Sequence, residues 1–155
     1  MLYKQAARLV ANRLYTNVAT FKGGLPAWKK AGYALDTSNT LPKYDIPHIN
    51  GDEFKNLLGT ACFVDIRTPK LYAAESIKRK IGPKADTLSL DYKKKYFLKI
   101  PLYQLAHQFD KIPKDRRIIV FDYRGKQSLV ASRFLVHNGY KQVCLLKGGI
   151  SAVKE

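Results

Sequence analysis

This chain reads as an α/β fold, a central and mostly parallel sheet of about five strands with helices on both faces. Three observations carry that expectation. The runs "ACFVDIR", "RRIIVFD" and "QVCLLKG" are almost continuously apolar in their centres, as strands covered on both faces are. Between such runs lie segments with helical spacing of apolar residues, for example "LYQLAHQFDKI" with Leu102, Leu105, Ala106 and Phe109. Gly and Pro punctuate the joins, so strand and helix alternate along the chain.

Taken in order, "IPHI" is a short strand beginning at Ile46. "NGDEFKNLLG" is a helix capped by Asn50 or Asp52 and closed by Gly59. "ACFVDIR" is a buried strand, and "TPKLYAAES" opens a helix with Thr68 as N-cap and Pro69 in the first turn. "ADTLSLD", residues 85–91, is expected to be a strand. The helix "LYQLAHQFDKI", the strand "RRIIVFD", the helix "SLVASRFLVHNG" ended by Gly139, and the strand "QVCLLKG" complete the series.

With 155 residues, 46% of them hydrophobic and 26% charged, the chain has the composition of a globular protein and enough material for one well-packed domain. Its formal net charge of +16 favours anionic partners, whether nucleic acid, an acidic protein or a membrane surface; the plain alternative is a solvated lysine-rich surface. Eight Lys/Arg fall between Ile77 and Lys99 against only Asp86 and Asp91, with Tyr92, Tyr96 and Phe97 interleaved. No nucleic-acid-binding motif accompanies this segment, so nucleic acid is not the favoured partner and a solvated loop with aromatics covering a sheet edge is. Cys62 and Cys144 each sit inside an apolar run and read as small buried hydrophobes. No Cys, His and carboxylate cluster has metal-ligand spacing, and His48, His107 and His137 fall in separate elements, so no cofactor is expected. No apolar run approaches transmembrane length, and the polar N-terminus lacks a signal-peptide core; as written, the chain is expected to be cytoplasmic.

An internal repeat appears at a constant offset of 125. "AARLVANRLYTNVATFKGGLPAWK" aligns without a gap on "ASRFLVHNGYKQVCLLKGGISAVK". Ala6/Ala131, Arg8/Arg133, Tyr15/Tyr140, Val18/Val143, Lys22/Lys147, Gly23/Gly148, Gly24/Gly149, Ala27/Ala152 and Lys29/Lys154 are identical pairs. Each copy reads as a helix, a short strand, a Gly-Gly turn and the start of another helix. Residues 1–35 are therefore expected to be the C-terminal remnant of a truncated tandem domain, residues 36–45 a linker, and residues 46–155 the complete domain. The apolar residues of the remnant cannot bury themselves alone; they must pack on the complete domain, pair with another chain, or remain loosely ordered, and packing against a neighbour or in a homodimer through residues 1–35 is the expectation.

The stretch "IIVFDYRGKQSLVASRFL" has the form of an anion-binding loop, a buried strand running through one tight glycine turn into a helix. Such a loop aims backbone N–H groups and a helix N-terminus at negative charge. At the strand end, where a nucleophile would sit, stands Asp122.

From Ile46 to Glu155, in register, the chain resembles the rhodanese-like domain, the three-layer sulfurtransferase homology fold. The resemblance rests on "VDIR" followed by "TPKLYAA", on "DKIPKDRRIIVF", and on the closing "ASRFLVHNGYKQVCLLKGGISAVK". It departs most at "ESIKRKIGPKA". The resemblance implies thiosulfate:cyanide sulfurtransfer through a cysteine persulfide held in a six-residue loop. The matching loop here is Asp122, Tyr123, Arg124, Gly125, Lys126 and Gln127, with Ser128 starting the helix; Asp65 and Arg67 are implied to be structural or pocket-lining. A carboxylate cannot carry sulfane sulfur as a persulfide. Asp122 is instead expected to act as an internal anion, filling the N–H nest with help from Arg124 and Lys126. The expected function is a non-catalytic binding or regulatory module for a protein or anionic partner. Two alternatives stand beside it: a sulfurtransferase whose active cysteine lies in the missing first domain, and anion or nucleic-acid binding through the basic surface.

Overall fold

A computed structural model describes residues 2–12, 15–35, 40–74 and 76–155 of the chain. It divides into two compact units, Met1–Thr40 and Leu41–Glu155.

The first unit holds helices α1 (Leu2–Ala11) and α2 (Gly24–Lys30). Trp28 organises its second half: the indole meets Phe21 edge-on at 5.6 Å, lies 4.8 Å from Tyr33, and donates from Nε1 to the Ala34 carbonyl at 3.0 Å. The short strand expected between the two helices does not form, and residues 15–22 are irregular. A strand is stabilised by ladder neighbours, and this unit contains no other strand among the described residues.

The second unit is built on a five-stranded parallel sheet in the order β1-β5-β4-β2-β3. Its strands are β1 (His48–Ile49), β2 (Cys62–Asp65), β3 (Phe97–Lys99), β4 (Ile118–Phe121) and β5 (Val143–Leu146). The three central strands are buried at every position, which accounts for their unbroken apolar sequence. Period-two alternation sends their side chains into two cores. Phe63, Ile119, Phe121 and Leu146 join one, with Phe54 of α3 (Gly51–Asn56), Ile81 of α5 (Ile77–Ile81) and Ala85 of α6 (Lys84–Thr87). Cys62, Val64, Ile118, Val120 and Val143 join the other, with Tyr96 of α7 (Leu90–Tyr96), Leu105 of α8 (Leu102–Gln108), and Ala131 and Leu135 of α9 (Ser128–His137). The α4 helix (Pro69–Ala74) follows β2. Complete burial of a side chain such as Phe54 is worth about 1.5–3 kcal/mol, so these two layers supply most of the driving force for the fold.

Local signals and tertiary structure agree at α3. The Asn50 side chain accepts the N–H groups of Asp52 and Glu53 at 3.0 and 2.9 Å, and Glu53 returns the contact to the Asn50 N–H at 2.8 Å. They disagree at residues 85–91, expected as a strand. That stretch carries the end of α6 and the start of α7, whose N-cap Ser89 accepts the Tyr92 N–H at 3.1 Å. Leu90, which a buried strand would need inside, is largely exposed, and the strand is displaced to Phe97–Lys99. Ala106, expected on the apolar face of α8, is exposed as well. The second unit begins at Leu41, ahead of "IPHI": the Tyr44 carbonyl accepts Arg133 Nε at 3.2 Å, and its hydroxyl lies 3.3 Å from His137 Nδ1. Residues 36–39 of the expected linker lie outside the described residues. Among the described residues, no helix is long and apolar enough to cross a membrane.

Candidate functional site

The loop after β4 lies at the carboxyl edge of the parallel sheet, where strands release their chain ends between helix layers. Asp122, its first residue, is only 4% exposed. Its carboxylate turns back into its own loop: one oxygen accepts the Gly125 N–H, and the other accepts the Gln127 N–H at 2.6 Å. These two N–H donors of the loop are thus satisfied by the loop's own carboxylate. Arg124 and Lys126 do not share this task. The Arg124 guanidinium lies 5.5 Å from the Tyr123 ring centre, and both basic side chains are exposed. Backbone amides are fixed by the turn and already point inward, whereas the two long side chains lose less by staying in water.

The turn depends on two glycine contacts. Gly125 has φ 76°, and a Cβ there would come 2.8 Å from the Gly148 nitrogen. Gly149 has φ 68°, and a Cβ there would come 2.6 Å from the backbone of Tyr123, Arg124 and Gly125. The Gly-Gly turn therefore forms the wall against which the loop is moulded. Two backbone bonds fasten the same wall: Ile150 N–H to the Asp122 carbonyl at 2.9 Å, and Ser151 N–H to the Tyr123 carbonyl at 3.0 Å. Sequence reasoning recognised the Gly-Gly pair as a turn but not as part of the site. The signal lay in its survival in both repeat copies. Ser128, which starts α9, is fully buried, and its hydroxyl has no hydrogen-bond partner among the described residues.

Asp65 and Arg67 stand at the neighbouring strand end and make a separate structure. Arg67 Nη2 donates to Asp65 Oδ2 at 2.7 Å, Nε donates to Oδ1 at 2.9 Å, and the Arg67 N–H reaches Oδ1 at 3.1 Å. A further Arg67 nitrogen donates to the Leu71 carbonyl at 3.1 Å. Both side chains are buried, and the pair stitches the end of β2 to the first turn of α4. Asp65 is committed to Arg67, so the two strand-end carboxylates do not combine into one acidic site.

Neither cysteine reaches the loop. Cys62 opens β2, at the end of the sheet opposite the loop, and burial followed by the Asp115 charge pushes its thiol up to about 12. Cys144, the second residue of β5, donates to the Ile118 carbonyl at 3.6 Å, and burial raises its pKa too. A thiol kept protonated is a poor nucleophile. Among the described residues, no three His, Cys, Asp or Glu side chains gather as a metal site.

Comparison with known proteins decides the family: residues 50–155 match the profile of the rhodanese-like domain. The chain belongs to the rhodanese-like domain family. A curated sulfurtransferase from Allochromatium vinosum is 34% identical over 55 residues, 36% of this chain, and the match spans 51% of that relative's length. A rhodanese-like domain protein from Staphylococcus aureus superposes with a TM-score of 0.53 at 21% identity, covering 71% of this chain and 93% of its own. A rhodanese-related protein from Thermoplasma volcanium gives a TM-score of 0.52 at 20% identity, covering 68% and 87%. The two solved structures establish likeness of fold. Asp122, expected from the sequence to stand where the family's persulfide cysteine does, is the first residue of the loop after β4.

Proposed function

We propose that this rhodanese-like chain is a non-catalytic binding or regulatory module. The observation that carries the reading is the closure of the loop by its own carboxylate, with Asp122 accepting the N–H groups of Gly125 and Gln127. Sulfurtransfer through a persulfide needs a sulfur nucleophile in that cradle, and the two thiols of the chain are buried elsewhere with raised pKa values. A thiosulfate:cyanide assay on the chain and its Asp122→Cys variant tests this. Activity gained only in the variant supports a cradle that lacks its nucleophile; equal activity in both overturns the reading.

The first unit is part of the same proposal, as the closing segment of a second rhodanese-like copy. Support comes from comparing exposure across the repeat. Val10, Tyr15, Phe21 and Leu25 are all exposed, at 41–65%, while their counterparts Leu135, Tyr140, Leu146 and Ile150 are buried to within 2%. Gly23 and Gly24 retain positive φ values of 85° and 58°, like Gly148 and Gly149. Yet a Cβ on Gly24 would meet nothing closer than Pro26 at 3.9 Å, where one on Gly149 would strike the loop. The first unit thus carries exposed the apolar side chains and the turn whose counterparts the second unit buries. Sedimentation of the chain across a concentration series, with the Phe21→Ser and Leu25→Ser variants, reads whether that face associates.

A further inference from the structure

Three short helices and the edge strand between Ile77 and Lys99 enclose a groove with a volume of about 360 Å³. That is at the small end of the roughly 300–1,000 Å³ typical of ligand clefts, suited to a few side chains rather than a large cofactor. Its floor is apolar: Ile81 and Ala85 are buried, and Ile77, Leu88 and Phe97 are half-buried. Phe97 ties this floor to the core, stacking on Phe63 at 5.1 Å and meeting Phe121, the residue before Asp122, edge-on at 6.3 Å.

The rim has the opposite character. Lys78, Lys93 and Lys99 line it, and Asp86 is its one carboxylate. Asp86 is engaged by Lys78 at 2.9 Å across the α5–α6 junction, and both side chains are largely exposed. The Lys93 charge acts on the same Asp86, and the Lys99 ammonium rests 5.0 Å from the Tyr72 ring centre. The groove thus offers an apolar floor inside a basic ring.

The aromatic residues of this segment decide which anion fits. Single-stranded nucleic acid is held by aromatic faces open to stacking bases. Here the rings are turned inward. Tyr92 donates to the Ala61 carbonyl at 2.5 Å, and Tyr96 is 7% exposed, donates to Asp115 at 3.0 Å and is covered by Arg116 at 4.0 Å. Phe97 is stacked on Phe63. What remains accessible is a mainly aliphatic floor, with the half-buried Phe97 its one ring, inside an ammonium rim, complementary to a peptide that carries bulky apolar side chains between carboxylates.

We propose that the groove floored by Ile77, Ile81, Leu88 and Phe97 and rimmed by Lys78, Lys93 and Lys99 docks an acidic peptide segment with an apolar anchor. This rests on the reading of the chain as a binding module and names where it binds. Asp86 occupies the place of one incoming carboxylate on Lys78, so it is a built-in competitor.

The test is a fluorescence anisotropy titration of the full chain with a labelled peptide in which a Leu-Phe pair is flanked by glutamates. Two comparison probes are the same peptide with Ser-Ser at its centre and an oligodeoxythymidine. The Leu-Phe peptide binds, and the Ser-Ser peptide is weaker by about tenfold or more, since a buried Leu or Phe contributes that much. Lys93→Ala and Lys99→Ala each weaken the Leu-Phe peptide by about two- to fivefold, as exposed charge pairs do, while Asp86→Asn tightens it. All three substitutions lie on exposed or rim side chains and leave both cores intact. Equal binding of the three probes, or insensitivity to Lys93→Ala and Asp86→Asn, reduces the groove to general charge attraction and overturns the proposal. Absence of binding overturns it as well. Running Asp122→Cys alongside separates the two claims: sulfurtransfer reads the loop, and peptide affinity reads the groove.

Discussion

Asp122 and Gln127 are joined by a 2.6 Å hydrogen bond from backbone N–H to carboxylate, across the loop that follows β4. With the companion bond from Gly125, it makes Asp122 a brace of the loop. Hydrogen bonds to a charged group contribute about 1.5–3 kcal/mol, and removing the acceptor takes the side-chain partner from two part-buried N–H groups. Asp122→Ala should therefore lower stability by about 2–4 kcal/mol in urea unfolding. Sulfate at tens of millimolar should restore part of that loss in the variant and leave the wild-type midpoint almost unchanged, because an anion that binds only the vacated nest stabilises the folded state.

Gly149 and Gly24 occupy equivalent repeat positions and predict unequal costs. Gly149→Ala places a methyl group 2.6 Å from the loop backbone at a positive φ, so either the loop or the last turn must move. A loss of about 2–4 kcal/mol is expected, the range of a substitution that breaks a special backbone position. Gly24→Ala meets only an ordinary contact with Pro26 at 3.9 Å and should cost only the strain of the left-handed region, about 1–2 kcal/mol or less. Thermal unfolding of both variants reads the difference.

Asp65 and Arg67 form a buried pair whose partners complete each other. Removing one leaves the other charged and dry, at a cost of about 3–5 kcal/mol. Arg67→Ala should thus be among the most destabilising single changes in the chain, well beyond Arg124→Ala, whose exposed guanidinium should matter by about 0.5 kcal/mol or less. Chemical denaturation of the two variants ranks them.

The alkaline limb of stability should carry the mark of Cys62. Its folded pKa, about 12, lies above the ordinary 9.0 of an exposed thiol, so the folded state holds this proton more tightly than the unfolded state. That contribution is fully present below pH 9.0 and is lost as pH rises toward about 12. Cys62→Ala should flatten that slope. Thiol-reactive dye should label native chain slowly at pH 8 and rapidly once denaturant is added.

Much of the sheet was readable in the sequence because strands covered on both faces leave unbroken apolar runs, as Cys62–Asp65, Ile118–Phe121 and Val143–Leu146 do. The edge strand Phe97–Lys99 was not, because three residues carry too little period to outweigh their surroundings. Leu88 and Leu90 imitated alternation just upstream, while the decisive information was one hydroxyl, the Ser89 cap. At the site, the position of Asp122 followed from the motif. Its partners did not, since charge counting pointed to Arg124 and Lys126 while the fold used amides of Gly125 and Gln127, which every sequence possesses.

The central claim is that Asp122 fills the anion nest of this loop. Amide-resolved NMR tests it most directly, by titrating thiosulfate into the nitrogen-15-labelled chain and its Asp122→Ala variant while following Gly125 and Gln127. The account predicts wild-type amides that stay in place and variant amides that shift to saturation. Saturable shifts of both wild-type amides at millimolar thiosulfate or below, matching those of the variant, would contradict it.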